Sequence, residues 1–164
     1  MKHIISIVVR NNSGVLARVS SLFGRRGFNI DSLSVSATDD PQISRITVVV
    51  DGDEATLDQV VKQTYKLIDT ISVTALKEEN AVCRELMLVK VVRENDLPFD
   101  NSILALTDKY GAFILDVTKS SLIIELSGTS QTVDEFMSQL ENNQSTFKIS
   151  RVCRTGITAM ERGI

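Results

Sequence analysis

The chain has 164 residues, of which 43% are hydrophobic and 24% charged, with two prolines. This composition predicts a globular protein of one ordinary domain or two small ones, and it excludes a disordered or fibrous chain. The formal net charge of −3 argues against a protein that holds nucleic acid by neutralising phosphates. One histidine and no tryptophan leave few of the usual groups for acid–base catalysis near neutral pH.

Sequence features that would direct the chain to a membrane or out of the cell are not found. No apolar run approaches the roughly 18 residues that a membrane helix needs. Met1 leads directly into a strand-like pattern, without the apolar stretch and cleavage site of a secretory signal. Two cysteines, Cys83 and Cys153, do not make a disulfide scaffold. We therefore expect a cytoplasmic protein.

The first half of the chain predicts the order strand, helix, strand, strand, helix, strand. Residues 3–10 are apolar and β-branched, as in a buried strand. Apolar residues from Val15 to Phe23 then recur at helical spacing, with Arg25 and Arg26 in the last turn and Gly27 as the stop. The remaining elements are strands at 29–37 and 43–50, a helix that starts at 51–53 and carries apolar residues as far as Ile68, and a strand around 71–75.

After a polar linker at residues 78–82, the same order repeats in weaker form. The predicted elements are a strand at 83–93, a helix at 100–110, a hairpin at 112–118 and 122–127, a helix at 131–140 and a strand at 146–153. Residues 1–77 and 83–164 therefore form two tandem βαββαβ units in an α+β protein.

This order favours the ferredoxin-like fold in both units. Right-handed crossovers give antiparallel sheets of strand order 4-1-3-2 with both helices on one face. A unit of ~75 residues buries little more than ~60% of its unfolded surface and is marginal alone. We expect the open face or edge to be covered by the other unit or by a second chain.

Two functional classes that use this topology lack the residues they need. An RNA-recognition module stacks bases on aromatic residues of its two central strands, and residues 3–10 and 43–50 contain none. For an enzyme, His3 has no evident partner, and most carboxylates fall at helix starts and turns. No phosphate loop, metal-ligand spacing or nucleophile elbow is present, so neither catalytic nor metal residues are predicted.

The two cysteines leave two interpretations open. Cys83 opens the first strand of the second unit and Cys153 closes its last, and these strands are antiparallel neighbours in the predicted sheet. Their thiols could therefore face each other and form a redox-sensitive disulfide. The alternative is two reduced thiols that pack as small apolar groups.

A third class, a sensor of a small molecule, fits the segment from Asn11 to Ile30. It ends a strand, turns tightly and opens a helix, whose first N–H groups attract a carboxylate. Gly14 allows close approach to that backbone, while Asn11 and Asn29 can orient an ammonium and a carboxylate. The same residues also suit an ordinary capped turn. Because Gly14 and Asn29 lie at opposite ends of the unit, a shared site needs two chains paired antiparallel along their second strands.

These residues also carry a family resemblance across nearly the whole chain. The matching tracts are NNSGVLARVSSLFGRRGFNI, DSLSV with TDDPQISRITVVV, QTYKLIDTISV, RELMLVKV, DVTKSSLIIELSGT and RVCRTGITAMERG. The chain resembles the small, regulatory subunits of acetolactate (acetohydroxyacid) synthase, whose N-terminal unit is an ACT domain. The resemblance implies a non-catalytic partner of a large subunit that carries thiamine diphosphate, FAD and Mg²⁺, with no cofactor in this chain. It also implies stimulation of that enzyme and feedback inhibition, usually by valine, in the first common step of valine, leucine and isoleucine synthesis.

The resemblance also implies an effector site between two ACT domains of a homodimer. Matching positions are Asn11, Gly14, Val15 and Leu16 of one chain with Asn29 and Ile30 of its partner. It further implies a C-terminal unit that dimerises and contributes to the effector response. The tail after Cys153 matches the family without a predicted structural role. The alternative is a stand-alone ACT sensor that regulates a different enzyme.

Overall fold

The computed structural model describes residues 1–25, 27–93, 99, 101–142 and 147–163. Predictions for Arg26, residue 100 and residue 146 therefore fall outside the described residues. The chain divides into two compact units, one formed by Met1–Cys83 with Gly156–Ile164 and the other by Arg84–Thr155. The end of the chain thus packs with the first unit, whereas the sequence-based division assigned it to the second.

The first unit has the predicted order of strands and helices. Its elements are β1 (Lys2–Arg10), α1 (Val15–Arg25), β2 (Ile30–Ala37), β3 (Ile43–Asp51), α2 (Glu54–Tyr65) and β4 (Thr70–Leu76), followed by a 3₁₀ turn at Glu78–Asn80. The strands pair antiparallel in the order β2-β3-β1-β4. The ferredoxin-like arrangement predicted for this unit is confirmed.

One face of the first sheet packs against both helices. Alternate residues of β1 and β3 point into this core because successive side chains of a strand face opposite sides. The core residues are Ile5, Ile7, Val9, Ile46, Val48 and Val50 from the sheet, Val15, Val19 and Phe23 from α1, and Val60 from α2. Helix α1 therefore lies with a fixed face on the sheet, which positions the turn that precedes it.

Helix α2 begins where the sequence predicts and ends earlier. Asp53 caps it, since its Oδ1 accepts a hydrogen bond of 2.7 Å from the Thr56 amide. After Tyr65 the chain tightens, and the Thr70 hydroxyl donates to the Thr64 carbonyl oxygen at 2.9 Å. The prediction that Ile68 belongs to the apolar face of this helix is therefore wrong: Ile68 follows the helix and is 85% exposed.

The C-terminal tail covers part of the opposite face of the first sheet. Strand β9 (Thr158–Glu161) pairs with β5, whose first residues, 81–83, belong to the same unit. Ala159 is 4% exposed and packs in a small cluster with Ile4, Val49 and Leu76. The Ser34 hydroxyl donates to the Ile157 carbonyl oxygen at 3.2 Å. The tail thus covers part of the sheet face that lies opposite the helices.

The second unit repeats the arrangement. Its elements are β5 (Ala81–Arg93), α3 (Asn101–Tyr110), β6 (Phe113–Val117), β7 (Ser121–Gly128), α4 (Ser130–Asn142) and β8 (Phe147–Arg154), with sheet order β6-β7-β5-β8. The core between sheet and helices contains Met87, Val89, Val91, Ile103, Leu106, Leu122, Ile124, Leu126, Val133, Phe136, Leu140 and Phe147. The prediction of two ferredoxin-like units, each with its helices on one face of an antiparallel sheet, is confirmed.

An ion pair with a buried carboxylate joins the edge strand of this unit to its centre. Glu85 on β5 is 4% exposed and accepts from the Nε and Nη2 of Arg154 on β8, at 2.6 and 2.9 Å. The Arg154 Nη1 also donates to Asp134 of α4 at 2.7 Å. These hydrogen bonds, above all those to Glu85, raise the pKa of Arg154. The Arg154 guanidinium, which donates to both carboxylates, therefore links β8 to β5 and α4.

The cysteines form no disulfide bond. Cys153 lies opposite Leu88 in the pairing of β5 with β8, whereas Cys83 precedes Leu88 by five residues in β5. The idea that the two thiols face each other across the sheet is therefore wrong, because the register of β8 is displaced along β5.

Candidate functional site

The turn between β1 and α1 is anchored to the loop between β2 and β3. The backbone N–H of Asn11 donates to the Gln42 carbonyl oxygen at 2.7 Å, and its side-chain amide donates to the Pro41 carbonyl oxygen at 2.9 Å. Gly14 adopts a φ of +80°, in the left-handed region that favours glycine. The turn thus has a defined shape, and its backbone favours a glycine at position 14.

The other side of the turn is held by a buried carboxylate. Asp69, 6% exposed, follows α2 and accepts a hydrogen bond of 2.8 Å from the side-chain amide of Asn12. Its other oxygen forms an ion pair with the Nη2 of Arg18 in α1. The Asp69 carbonyl oxygen accepts from the Arg10 N–H at 2.8 Å. Asp69 therefore links the end of β1, the turn and the first part of α1.

The N-terminus of α1 offers donors for an anion. The Val15 N–H bonds weakly within the turn, to the Asn12 carbonyl oxygen at 3.2 Å. For the N–H groups of Gly14 and Leu16, no acceptor lies within the described ranges 1–25, 27–93, 99, 101–142 and 147–163. Unsatisfied N–H groups at the start of a helix, with its positive dipole end, bind carboxylates.

The apolar residues next to this turn differ in accessibility. Leu16 is 37% exposed, whereas Val15 is 7% exposed and belongs to the core beneath α1. The Val15 side chain thus packs inward, and Leu16 is the more accessible of these two apolar side chains. The Val15 backbone remains part of the turn.

Asn29 and Ile30 do not meet Gly14 within one chain. They follow the C-terminus of α1, while Gly14 precedes its N-terminus, and 11 helical residues separate the two ends by about 16 Å. Asn29 is exposed, and its amide donates to the Asp31 carboxylate at 3.1 Å. Ile30 is partly buried and packs against the core cluster of the first unit. One amino acid cannot bridge these residues within a single chain.

His3 has a structural contact. Its Nε2 lies 3.0 Å from the Gly52 carbonyl oxygen, next to the start of α2.

In the described portion of the chain, no three or more histidine, cysteine or carboxylate side chains gather as a metal site would require. Nor does any helix described here reach the length and apolar character needed to cross a membrane.

The sequence analysis did not identify Asp69 or Arg18. Arg18 lies on the polar side of a helical pattern, where a charged residue is ordinary, and Asp69 stands alone before β4. The two are 51 residues apart, and only the fold brings α1 next to the segment between α2 and β4. No local signal in the sequence points to this ion pair.

The Asp69 network predicts a pH-dependent contribution to stability. The pKa of Asp69 is lowered chiefly by the hydrogen bond from Asn12 and also by Arg18, against the opposing effect of burial. A carboxylate with a depressed folded-state pKa stabilises the fold above its unfolded pKa of about 3.9 and loses that contribution as pH falls through the folded value. Wild-type protein should therefore lose more stability between pH 7 and pH 3 than Asp69→Asn, as measured by urea unfolding.

The matched control is Asp58→Asn in α2, because the Asp58 side chain is 75% exposed. This variant should keep the wild-type dependence on pH. An Asp69→Asn protein that loses as much stability on acidification as the wild type would contradict the assignment.

Comparisons with protein families match both units. Residues 5–72 match the AHAS small subunit-like ACT domain, and residues 84–163 match the family described as the small subunit of acetolactate synthase. The turn, α1 and both asparagines of the candidate site lie within the first match.

Individual relatives match the chain over its whole length. It is 43% identical to a probable acetolactate synthase small subunit of Archaeoglobus fulgidus, over 99% of this chain and 98% of the relative. It is 39% identical to the acetolactate synthase isozyme 3 small subunit of Escherichia coli, over 99% and 97%. The crystal structure of the acetolactate synthase small subunit from Thermotoga maritima superposes with a TM-score of 0.89 at 36% identity, covering 100% of this chain and 99% of that one. The chain belongs to the acetolactate synthase small-subunit family and carries its ACT domain.

Proposed function

We propose that this chain stimulates the catalytic large subunit of acetolactate synthase and makes it sensitive to feedback inhibition by valine or a related branched-chain amino acid. The reaction is the first common step in the synthesis of valine, leucine and isoleucine. Family membership supports the partnership with a large subunit. The observation that carries effector binding is the anchored turn at Gly14, with N–H groups of Gly14 and Leu16 open to a carboxylate.

The effector carboxylate would bind these N–H groups beside Asn11. Gly14 leaves room for this approach, because no side chain of its own projects over the turn. Leu16, 37% exposed, would contact the aliphatic side chain of the effector. Such an apolar contact discriminates one methylene by only ~1–3 kcal/mol, so valine, leucine and isoleucine are expected to overlap as effectors.

The effector site would be completed by a second copy of the chain. Strand β2 lies at an edge of the first sheet, so it can pair with β2 of another protomer. The register places Ala37 opposite Ser44 and Arg10 opposite Ile43, so β2 ends at the same end of the sheet as β1. Antiparallel pairing of two β2 edges would bring Asn29 and Ile30 of the partner to that end, near Gly14. This supports a homodimer with two symmetric sites.

The two domains would have different roles. We place effector binding and dimerisation in residues 1–77, joined through the linker at 78–82 to a regulatory domain at 83–164 whose last residues return to the first unit. The chain itself would carry no catalytic residue and no cofactor. Thiamine diphosphate, FAD and Mg²⁺ would belong to the large subunit, and the complex would act in the cytoplasm.

Acetolactate formation by the large subunit, measured with and without this chain and titrated with valine, leucine and isoleucine, tests the proposal. We expect the chain to raise the rate and to make it sensitive to at least one of the three amino acids. The coupling need be only ~1–3 kcal/mol, or several-fold to about a hundred-fold in affinity. No complex and no change in rate would contradict the proposal and favour a stand-alone ACT sensor.

A further inference from the structure

We propose that Arg18, held in place by Asp69, supplies the cationic side chain that binds the effector carboxylate. This inference rests on the proposed function, because it assigns a further specificity-determining residue to the same site. Three side chains next to the turn at Gly14 support it. They are the buried Asp69, Arg18 in the first part of α1, and Asn12 in the turn.

The Arg18 guanidinium lies directly over the turn. A Cβ placed on Gly14 would have the Arg18 Nη1 as its nearest neighbour, at 3.6 Å. A ligand that approaches the Gly14 backbone would occupy the space where that Cβ would stand. The guanidinium is therefore within reach of any group that uses the open N–H groups of Gly14 and Leu16.

Asp69 positions the Arg18 guanidinium but does not use all of its N–H donors. Its side chain is 8% exposed and binds the Nη2 of Arg18, whereas the Arg18 side chain is 47% exposed. A guanidinium has five N–H donors in a planar fork, so one edge can bind Asp69 while another donates to a ligand. Because Asp69 also binds Asn12, turn and guanidinium are positioned by the same carboxylate.

The charge of this arrangement selects the group that binds. Both the helix N-terminus and the guanidinium favour an anion, and both disfavour the ammonium of an amino acid. The carboxylate of the effector should therefore face Gly14 and Arg18, and its ammonium should face away from them. A ligand whose carboxylate is replaced by a neutral group should gain less from Arg18, because a neutral acceptor makes a weaker hydrogen bond.

The test compares valine with valinamide, in which a neutral carboxamide replaces the carboxylate. Calorimetry with the full-length protein should give about 10- to 100-fold weaker valine binding for Arg18→Gln, which is the usual effect of losing a charge-assisted hydrogen bond. Valinamide should lose much less affinity than valine does, because its neutral carboxamide makes only a weaker hydrogen bond to Arg18. Arg18→Lys, which keeps the charge without the fork, should recover part of the loss. Asp69→Asn should weaken valine binding by releasing Arg18.

Two further variants of the chain serve as controls. Arg25→Gln removes a cation from the last turn of the same helix and should bind valine as the wild type does. If Arg18→Gln does not fold because Asp69 is left without its cation, the double variant Arg18→Gln with Asp69→Asn replaces it. If the wild type binds valine and the Arg18 variants bind it with the same affinity, this inference alone is overturned. The same holds if the variants lose equal affinity for valine and for valinamide. A wild-type protein that binds none of the branched-chain amino acids would overturn the proposed function as well.

Discussion

Replacing Gly14 with aspartate is expected to abolish feedback inhibition while activation of the large subunit persists. The new carboxylate would occupy the position proposed for that of the effector, since the Cβ of residue 14 would lie 3.6 Å from the Arg18 Nη1. The φ of +80° adds backbone strain of about 1–2 kcal/mol, which the fold should tolerate. Acetolactate assays at increasing valine should show inhibition weakened by at least about 100-fold, the upper range of ordinary allosteric coupling.

Two controls separate charge from backbone strain. Gly14→Asn imposes the same strain without the charge and should retain more of the inhibition. Gly24→Asp introduces the same carboxylate into α1 at a glycine whose Cβ would meet nothing within 4 Å, and it should leave inhibition unchanged. Loss of both activation and inhibition in Gly14→Asp would mean that the residue serves the fold alone.

Replacing Ala159 with aspartate is expected to destabilise the first unit by about 3 kcal/mol or more, because it buries a carboxylate without a partner. Ala159 is 4% exposed, and its neighbours Ile4, Val49 and Leu76 are apolar. The tail would separate from the sheet and leave that apolar patch uncovered. Urea unfolding at a fixed protomer concentration measures the loss.

Met160→Asp is the matched control. Met160 is the next residue of β9 and is 65% exposed, so the same carboxylate would remain in water. Its effect should stay within about 0.5 kcal/mol, as for most surface substitutions. Equal stability of the two variants would show that the tail does not bind the first sheet in solution.

The elements and their order follow from the sequence because local patterns encode them. Val15, Val19 and Phe23 recur at helical spacing, and all three are buried beneath α1. The strands around Ile5 and Val48 are apolar and β-branched, and right-handed crossovers leave few ways to arrange them. Two βαββαβ units could therefore be predicted without coordinates.

The parts that could not be predicted depend on contacts between distant residues. Strand β9 is short, and its single buried residue, Ala159, carries no strand pattern of its own. Cys153 lies opposite Leu88 because of the register between β5 and β8, which the sequence does not encode locally. In the same way, the turn at Gly14 was recognisable, but its attachment to Asp69 was not.

We propose that each effector site combines Gly14 of one protomer with Asn29 of the other. Co-expressing a Gly14→Asp chain with an Asn29→Ala chain under two different tags yields a heterodimer in which one site has both native residues and the other has neither. If the site is shared, calorimetry should find about one valine per heterodimer at wild-type affinity, against about two for the wild-type dimer and none at that affinity for either variant homodimer. A heterodimer that binds valine no better than the two variant homodimers would contradict the claim.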